Sequence, residues 1–379
     1  MANGLFWLIA ALIAYIYVGY PVLVFLLSFV SRRKTEAADC EPEVSLIITA
    51  YNEERAIREK LENTLALNYP PEKLQIIVAS DGSTDRTDRI VESFPADLVR
   101  LLRVEGRVGK TAAQNQAVRQ ASGAIVLFSD AATLYSKDVI RKLVRNYAAR
   151  DVGAVSGRYE YVNPNGSAIG LCSALIWRYE NWLKQSLSRI GTLTGCCGCI
   201  YSIRRELYRP LPRDVSEDFV QALSVIAQGY RVIFEREALA FEPAMDKPGD
   251  EFNRRVRSFT RGIRGILYMR ALLNPLVHPF VAFELISHKI LRWLTAPLCA
   301  TLLCSTLFLL DSDFFRAVFA CQILFLAAGI AGVVLLRTRG RSGRLLSLPT
   351  YFVVVLSALA VAITRVASAK RYTTWEPSR

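Results

Sequence analysis

Histidine is nearly missing from this chain: only His278 and His288 occur in 379 residues. That scarcity removes a common zinc ligand from everything but the stretch just before the C-terminal apolar segments. The eight cysteines do not make up for it. Cys196, Cys197 and Cys199 crowd into one turn without the repeated Cys-x-x-Cys spacing of a zinc site, and reduced small residues in a tight turn account for them without a disulfide framework. A complete Gly-x-x-x-x-Gly-Lys-Ser/Thr loop is also lacking, which argues against a P-loop NTPase. No acid interrupts the long apolar runs, so they offer no carrier for an ion or proton pathway. Internal repeats and low-complexity tracts are absent too.

Long apolar runs, in contrast, are plentiful, and hydrophobic residues make up 52% of the chain. Residues 5–30 are uncharged and, at about 1.5 Å per residue, long enough to cross a hydrocarbon core of about 30 Å. They are too long for a signal-peptide core, and Ser31-Arg32-Arg33-Lys34 follows in place of a small-residue cleavage site. Three further segments, 294–310, 314–336 and 345–364, read as spans, the first short enough to need tilt or local thinning. Arg32, Arg33 and Lys34 predict that the first span ends in the cytoplasm, so the central domain is expected there, at the inner membrane. Asp311-Ser312-Asp313 becomes an external turn, and the loop at 337–344, with four arginines, returns inside. Four full spans would leave Arg365, Lys370 and Arg371 outside; either the last segment re-enters or the tail breaks the charge rule. The expected plan is therefore a span and basic flank at 1–34, a domain at 40–250, interfacial helices at 251–293, three membrane segments at 294–366 and a tail at 367–379. The net charge of +13 fits basic flanks facing anionic lipid. Because the positive charge gathers beside apolar segments, membrane lipid is the expected partner and nucleic acid is not.

The central domain alternates strand and helix patterns. Residues 44–50 and 74–80 are apolar, β-branched runs of the kind buried on both faces of a parallel sheet. Helices are expected at 53–67, 84–94 and 109–121, and strands at 98–104 and 124–128. This order predicts an α/β domain with a mostly parallel sheet and its ligand beyond the carboxyl ends of the strands. Asn52 and Glu53 close the first strand, Asp81 and Asp85 the second. Lys110 at a helix start suits a diphosphate, and Asp130 at a strand end suits a divalent cation. Glu217 and Asp218 open a helix to about 228; alone, such a pair is an ordinary complement to the helix dipole. Residues 252–270 hold six arginines and no acid, with Arg254, Arg257, Arg261 and Arg264 on one helical face and Phe252, Val256, Phe259, Ile263 and Ile266 on another. That is an amphipathic helix for a membrane surface, one end of which can reach a diphosphate. A second interfacial stretch covers 278–293.

Taken in order, these motifs resemble the membrane-integrated family 2 glycosyltransferases, a group that includes hyaluronan, cellulose and poly-N-acetylglucosamine synthases. The resemblance covers residues 44–292 and implies a GT-A domain with Rossmann-like α/β character, a nucleotide-sugar donor (a UDP-sugar), and a lipid-linked or glycan acceptor. It also implies a Mg²⁺ or Mn²⁺ cofactor and partners in cell-surface polysaccharide assembly. By the same resemblance Thr49, Ala50, Tyr51, Asn52 and Glu53 form the first nucleotide turn, Asp81 reads the base, and Lys110, Asn115 and Arg257 attend the diphosphate. Asp130 is the metal ligand. Gly195, Cys197 and Gly198, in the turn before Tyr201 and Arg204, meet the acceptor together with Glu217 and Arg254. Asp218 is the catalytic base of an inverting transfer. Two departures matter. Ala132 stands where the metal motif carries its second acid, and Arg254-Arg255-Val256-Arg257-Ser258 keeps the arginine of Gln-x-x-Arg-Trp but neither flanking residue. The missing tryptophan favours adding one or few sugars; a processive, secreting synthase and a non-catalytic membrane protein with a regulatory nucleotide domain remain the alternatives.

Overall fold

A computed structural model describes residues 1–31, 33, 35–162, 168–243, 248–339, 343–368 and 372–374. Arg32, Lys34, Gly340, Arg341, Ser342, Lys370 and Arg371, used above to orient the chain, lie outside the described residues. Alternation along the first strand creates the domain. In β1 (Val44–Ala50), Leu46, Ile48 and Ala50 face one apolar layer, with Ile57 and Leu61, while Ile47 faces the other, with Ile77 and Ala79. All seven β1 residues are buried, so covering both faces is what holds this strand at the centre of the sheet.

The sheet adds β2 (Leu74–Ser80), β3 (Val99–Arg103), β4 (Ile125–Asp130), β5 (Leu134–Tyr135), β6 (Val152–Val162), β7 (Ile200–Arg204) and β8 (Arg231–Pro243), in the order β3-β2-β1-β4-β7-β6-β8-β5. Its first half is parallel as expected: β1 runs beside β2 from Val44↔Leu74 to Ala50↔Ser80 and beside β4 from Val44↔Ile125 to Thr49↔Asp130. The second half is mixed, because β7 runs antiparallel to both β4 and β6. Between β1 and β4 the strand order reverses, and a crevice opens at the carboxyl ends there.

The helices are α1 (Ala2–Val30, with a π turn at Tyr15–Gly19), α2 (Ile57–Leu65), α3 (Thr87–Glu92), α4 (Lys110–Arg119), α5 (Val139–Val144), α6 (Ala168–Ile190) and α7 (Glu217–Ala227). After them come α8 (Pro248–Tyr268), α9 (Pro279–Trp293, partly π), α10 (Thr295–Leu307), α11 (Asp313–Arg339) and α12 (Ser347–Ala367). In the domain, α2 and α3 start later than the sequence pattern suggests, because the residues ahead of them are held in the turns after β1 and β2, while α7 starts at Glu217 as expected. The Glu53 and Glu54 amides donate to Thr87 Oγ1 (2.8 Å) and Asp85 Oδ2 (3.0 Å), which ties the stretch ahead of α2 to the turn after β2. Asp85 also accepts from the Thr87 amide at 2.9 Å; it fastens the two turns together and is not a ligand-facing acid. Strand β4 runs past the expected residue 128 and carries Asp130 as its last residue, opposite Thr49.

In the membrane part, α1, α11 and α12 are long and apolar enough to cross. The expected span at 294–310 is only Thr295–Leu307, and it reaches spanning length jointly with Pro279–Trp293, across a 57° bend. The interfacial stretch expected at 278–293 is therefore one arm of that bent pair.

Phe128 stacks between Tyr201 (centroids 4.6 Å apart) and Tyr208 (5.9 Å) beneath the crevice and is fully buried. Phe128→Ala should cost about 3–5 kcal/mol, read as a lower melting temperature of the purified chain.

Candidate functional site

Two turns and a loop meet at the end of β1. Asn52 has φ +51°, a left-handed conformation that asparagine tolerates better than most residues. Its Oδ1 accepts from the Thr84 amide at 2.8 Å, and the Ala50 carbonyl accepts from the Asp81 amide at 2.9 Å, so the β1 and β2 turns are locked together. Asp81 is fully buried. Its carboxylate accepts from the amides of Val108 (2.8 Å) and Gly109 (3.0 Å), which fixes the loop before α4. Burial pushes the Asp81 carboxyl up, while those amides and the charges of Arg107 and Arg213 oppose the rise. The Arg107 guanidinium lies 4.0 Å from the Tyr51 ring centroid. A flat cation–π pair beside a buried acceptor can hold the face and the edge of a nucleobase. Gly109 has φ +94°, and the Thr373 carbonyl from the tail lies where a Cβ would go, so no other residue fits there.

Deeper in the crevice a chain of charges crosses the molecule. Lys110 Nζ is 2.6 Å from Asp130 and 3.0 Å from Glu217. Arg261, from α8, is 2.9 Å from the other Glu217 oxygen and also donates to Thr111 Oγ1 and the Val215 carbonyl. Burial works against charge on Lys110, yet Asp130 and Glu217 raise its ammonium well above the usual lysine value. Burial likewise works against the Glu217 carboxylate, but Lys110 and Arg261 outweigh it and hold this group ionised. Asp218 fares differently. Its Oδ1 accepts from Ser216 Oγ (2.8 Å) and the Phe219 amide (2.9 Å), and its Oδ2 would be 3.2 Å from a Cβ on Gly198. Burial and the neighbouring Glu217 charge push its carboxyl up. Adjacent acids with opposed environments divide the work: one is a fixed charge, the other can take a proton.

Several residues expected at the site lie in it. Thr49 is buried at the end of β1, 3.4 Å from Gln114 Nε2. Arg257 is half-buried near Arg261 and Glu217, and desolvation together with the Arg261 charge lowers its guanidinium value. Gly195 backs onto the Phe219 ring, and Cys197 donates its amide to Ser156 Oγ at 3.0 Å, so these two shape the turn in front of Asp218. Three others serve elsewhere. Asn115 spends its amide on the Leu211 carbonyl (2.8 Å), the Leu211 amide (3.1 Å) and the Tyr208 hydroxyl (2.8 Å), bracing that loop rather than a diphosphate. Arg254 pairs with Glu251 at 3.0 Å and with the Tyr161 hydroxyl, which anchors α8. Glu217 is enclosed between Lys110 and Arg261, leaving it no face for an acceptor. Arg261, Arg107 and Ser216 were missed. Arg261 follows Arg257 by one turn on the same face, but only the fold shows which arginine meets the acid pair.

Among the described residues no group of three or more His, Cys, Asp or Glu side chains gathers as a metal cage. Asp130 alone offers a carboxylate at the crevice edge, with the buried Ala132 beyond it. One hard oxygen ligand fits a Mg²⁺ or Mn²⁺ that takes its other ligands from a diphosphate and water.

Replacing Arg261 with Met leaves Glu217 to Lys110 alone. Losing one partner of a buried pair should cost about 3–5 kcal/mol, and Glu217→Gln in the same chain should restore part of the lost melting temperature.

Comparison with known proteins agrees with this geometry. The Glycosyl transferase family 2 pattern matches residues 45–211. An N-acetylglucosaminyltransferase of Neorhizobium galegae is 28% identical over 276 residues, covering 69% of this chain and 64% of the relative. One from Rhizobium meliloti (strain 1021) is 27% identical, covering 67% and 63%. The aligned stretches thus span less than two thirds of these relatives' own length. The mannosyltransferase PcManGT from Pyrobaculum calidifontis, solved with GDP-Man and Mn²⁺, shares the fold with a TM-score of 0.72 at 24% identity, over 97% of this chain and 100% of that one.

Proposed function

We propose that this chain, which matches the Glycosyl transferase family 2 pattern over residues 45–211 and carries candidate membrane helices, is an inverting enzyme moving a sugar from a UDP-sugar to a lipid-linked or glycan acceptor. The observation that carries this reading is Asp218, half-buried at the start of α7, its carboxyl pushed up by burial and by Glu217, and set against the glycine of the turn in front of it. In the reaction, the acceptor hydroxyl attacks the anomeric carbon as Asp218 takes its proton, and the bond to the diphosphate breaks on the opposite side. An α-linked donor gives a β-linked product. Tyr51, Arg107 and Asp81 hold the nucleoside, while Lys110 and Arg257 place positive charge against the departing diphosphate. Asp130 would hold a Mg²⁺ or Mn²⁺, which supplies further Lewis-acid charge at that diphosphate. The names of the relatives make an N-acetylglucosamine donor the first to test.

Ser258, where processive synthases carry tryptophan, supports addition of one or few sugars in cell-surface polysaccharide assembly. A ladder of long products from purified protein and labelled donor would favour the processive reading instead. The positive flanks support a domain on the cytoplasmic face of the inner membrane.

Asp218→Asn should keep UDP binding and lose transfer by roughly 10²–10⁴; retained turnover would remove Asp218 as base. A base must be ionised, so kcat/KM should be full above the raised Asp218 value and fall as pH drops through it. Glu217→Gln removes the like charge that helps raise Asp218, and the acid limb of that profile should move to lower pH.

A further inference from the structure

A second cavity lies outside the crevice, between α6 and the β6–β8 edge. It holds about 570 Å³ and is lined by Arg158, Arg178, Arg236, Asn181, Gln185 and Trp182, among others. Its charge is one-sided. The Glu237 in its wall already pairs with Lys142 (2.9 Å) and Arg145 (3.0 Å), whereas Arg178 and Arg236 have no ion-pair partner among the described residues. Arg158 pairs with Glu160. Two exposed arginines without ion-pair partners among the described residues, beside a wall whose carboxylate is already paired, mark a place for an anionic group.

Membrane level is indicated by the same helix. Leu171, Leu175, Arg178 and Trp182 follow one another at i, i+4, i+7 and i+11, one exposed face of α6. The Trp182 ring lies 5.3 Å from Phe25, near the domain end of the first candidate span. An outward stripe of leucine, arginine and tryptophan beside a span is the composition of a membrane interface.

We propose that this cavity binds the head group of an anionic phospholipid of the phosphatidylglycerol kind, with Arg178 and Arg236 on the phosphate. The acyl chains then lie along Leu171 and Leu175. The site is separate from Asp218 and does not depend on the transfer chemistry.

The test uses the full chain in a nonionic detergent, titrated with dihexanoyl phosphatidylglycerol, dihexanoyl phosphatidylcholine or inorganic phosphate, with affinity read directly. Phosphatidylglycerol should bind at least about tenfold more tightly than either control, since each charge-assisted contact is worth about a factor of ten. The double variant Arg178→Ala, Arg236→Ala should lose that preference. Both arginines are exposed, so its melting temperature without lipid should match the parent. Arg178→Lys, Arg236→Lys, which retains the charge, should keep part of the preference and guards against a folding artefact. Equal binding of inorganic phosphate would assign the cavity to a soluble anion, and equal binding of phosphatidylcholine would remove the role of charge. An undiminished preference in the alanine variant would place the lipid elsewhere. Any of these three results overturns the proposal.

Discussion

A buried glutamate cannot keep its charge alone. Glu217 does so because Lys110 and Arg261 close on its two oxygens from opposite sides. Those three residues come from the nucleotide half of the domain, from the second half and from the arginine-rich helix. Taking charges out of water is costly unless each finds its partner, so the three segments must dock in one arrangement for the acid to be tolerated. The crevice is thereby assembled by electrostatics rather than by its walls alone. The amphipathic helix, whose pattern suits a membrane surface, is tied to the chemistry through one guanidinium.

The same constraint explains why two neighbouring acids behave so differently. Glu217 absorbs the available cations and stays ionised, and its charge then makes Asp218 harder to ionise. Ser216 and the Phe219 amide fix the orientation of the Asp218 carboxylate without neutralising it. A similar economy holds at the end of β2, where one buried carboxylate, Asp81, organises the loop that leads into Lys110. The loop that presents the lysine and the acid that closes β2 are thus parts of one hydrogen-bonded unit.

Much of this was legible in the sequence, and the limits have physical causes. The two central strands could be read because burial on both faces leaves an unbroken apolar run. Lys110, Asp130 and Asp218 could be placed because strand ends and helix starts are fixed by local pattern. Asn115 and Arg254 could not be resolved, since a polar side chain on a helix can turn to the crevice or brace a neighbouring loop, and spacing does not distinguish the two. Four arginines on one face of a helix look alike until the acid they meet is known. The antiparallel half of the sheet was invisible for another reason: strand direction depends on the connection made by α6, a long-range property with no local signature.

The tail contact at Gly109 has a further consequence, one of parity. Thr373 touches the domain that follows the first candidate span, so any crossings of a bilayer in between must be even in number. Three helical units lie on the way: the bent pair, α11 and α12. An even count excludes all three traversing the bilayer together. The packing of Arg255 against Tyr351 ties the start of α12 to the arginine-rich helix. A reporter group fused after the last residue would then share its compartment with the crevice.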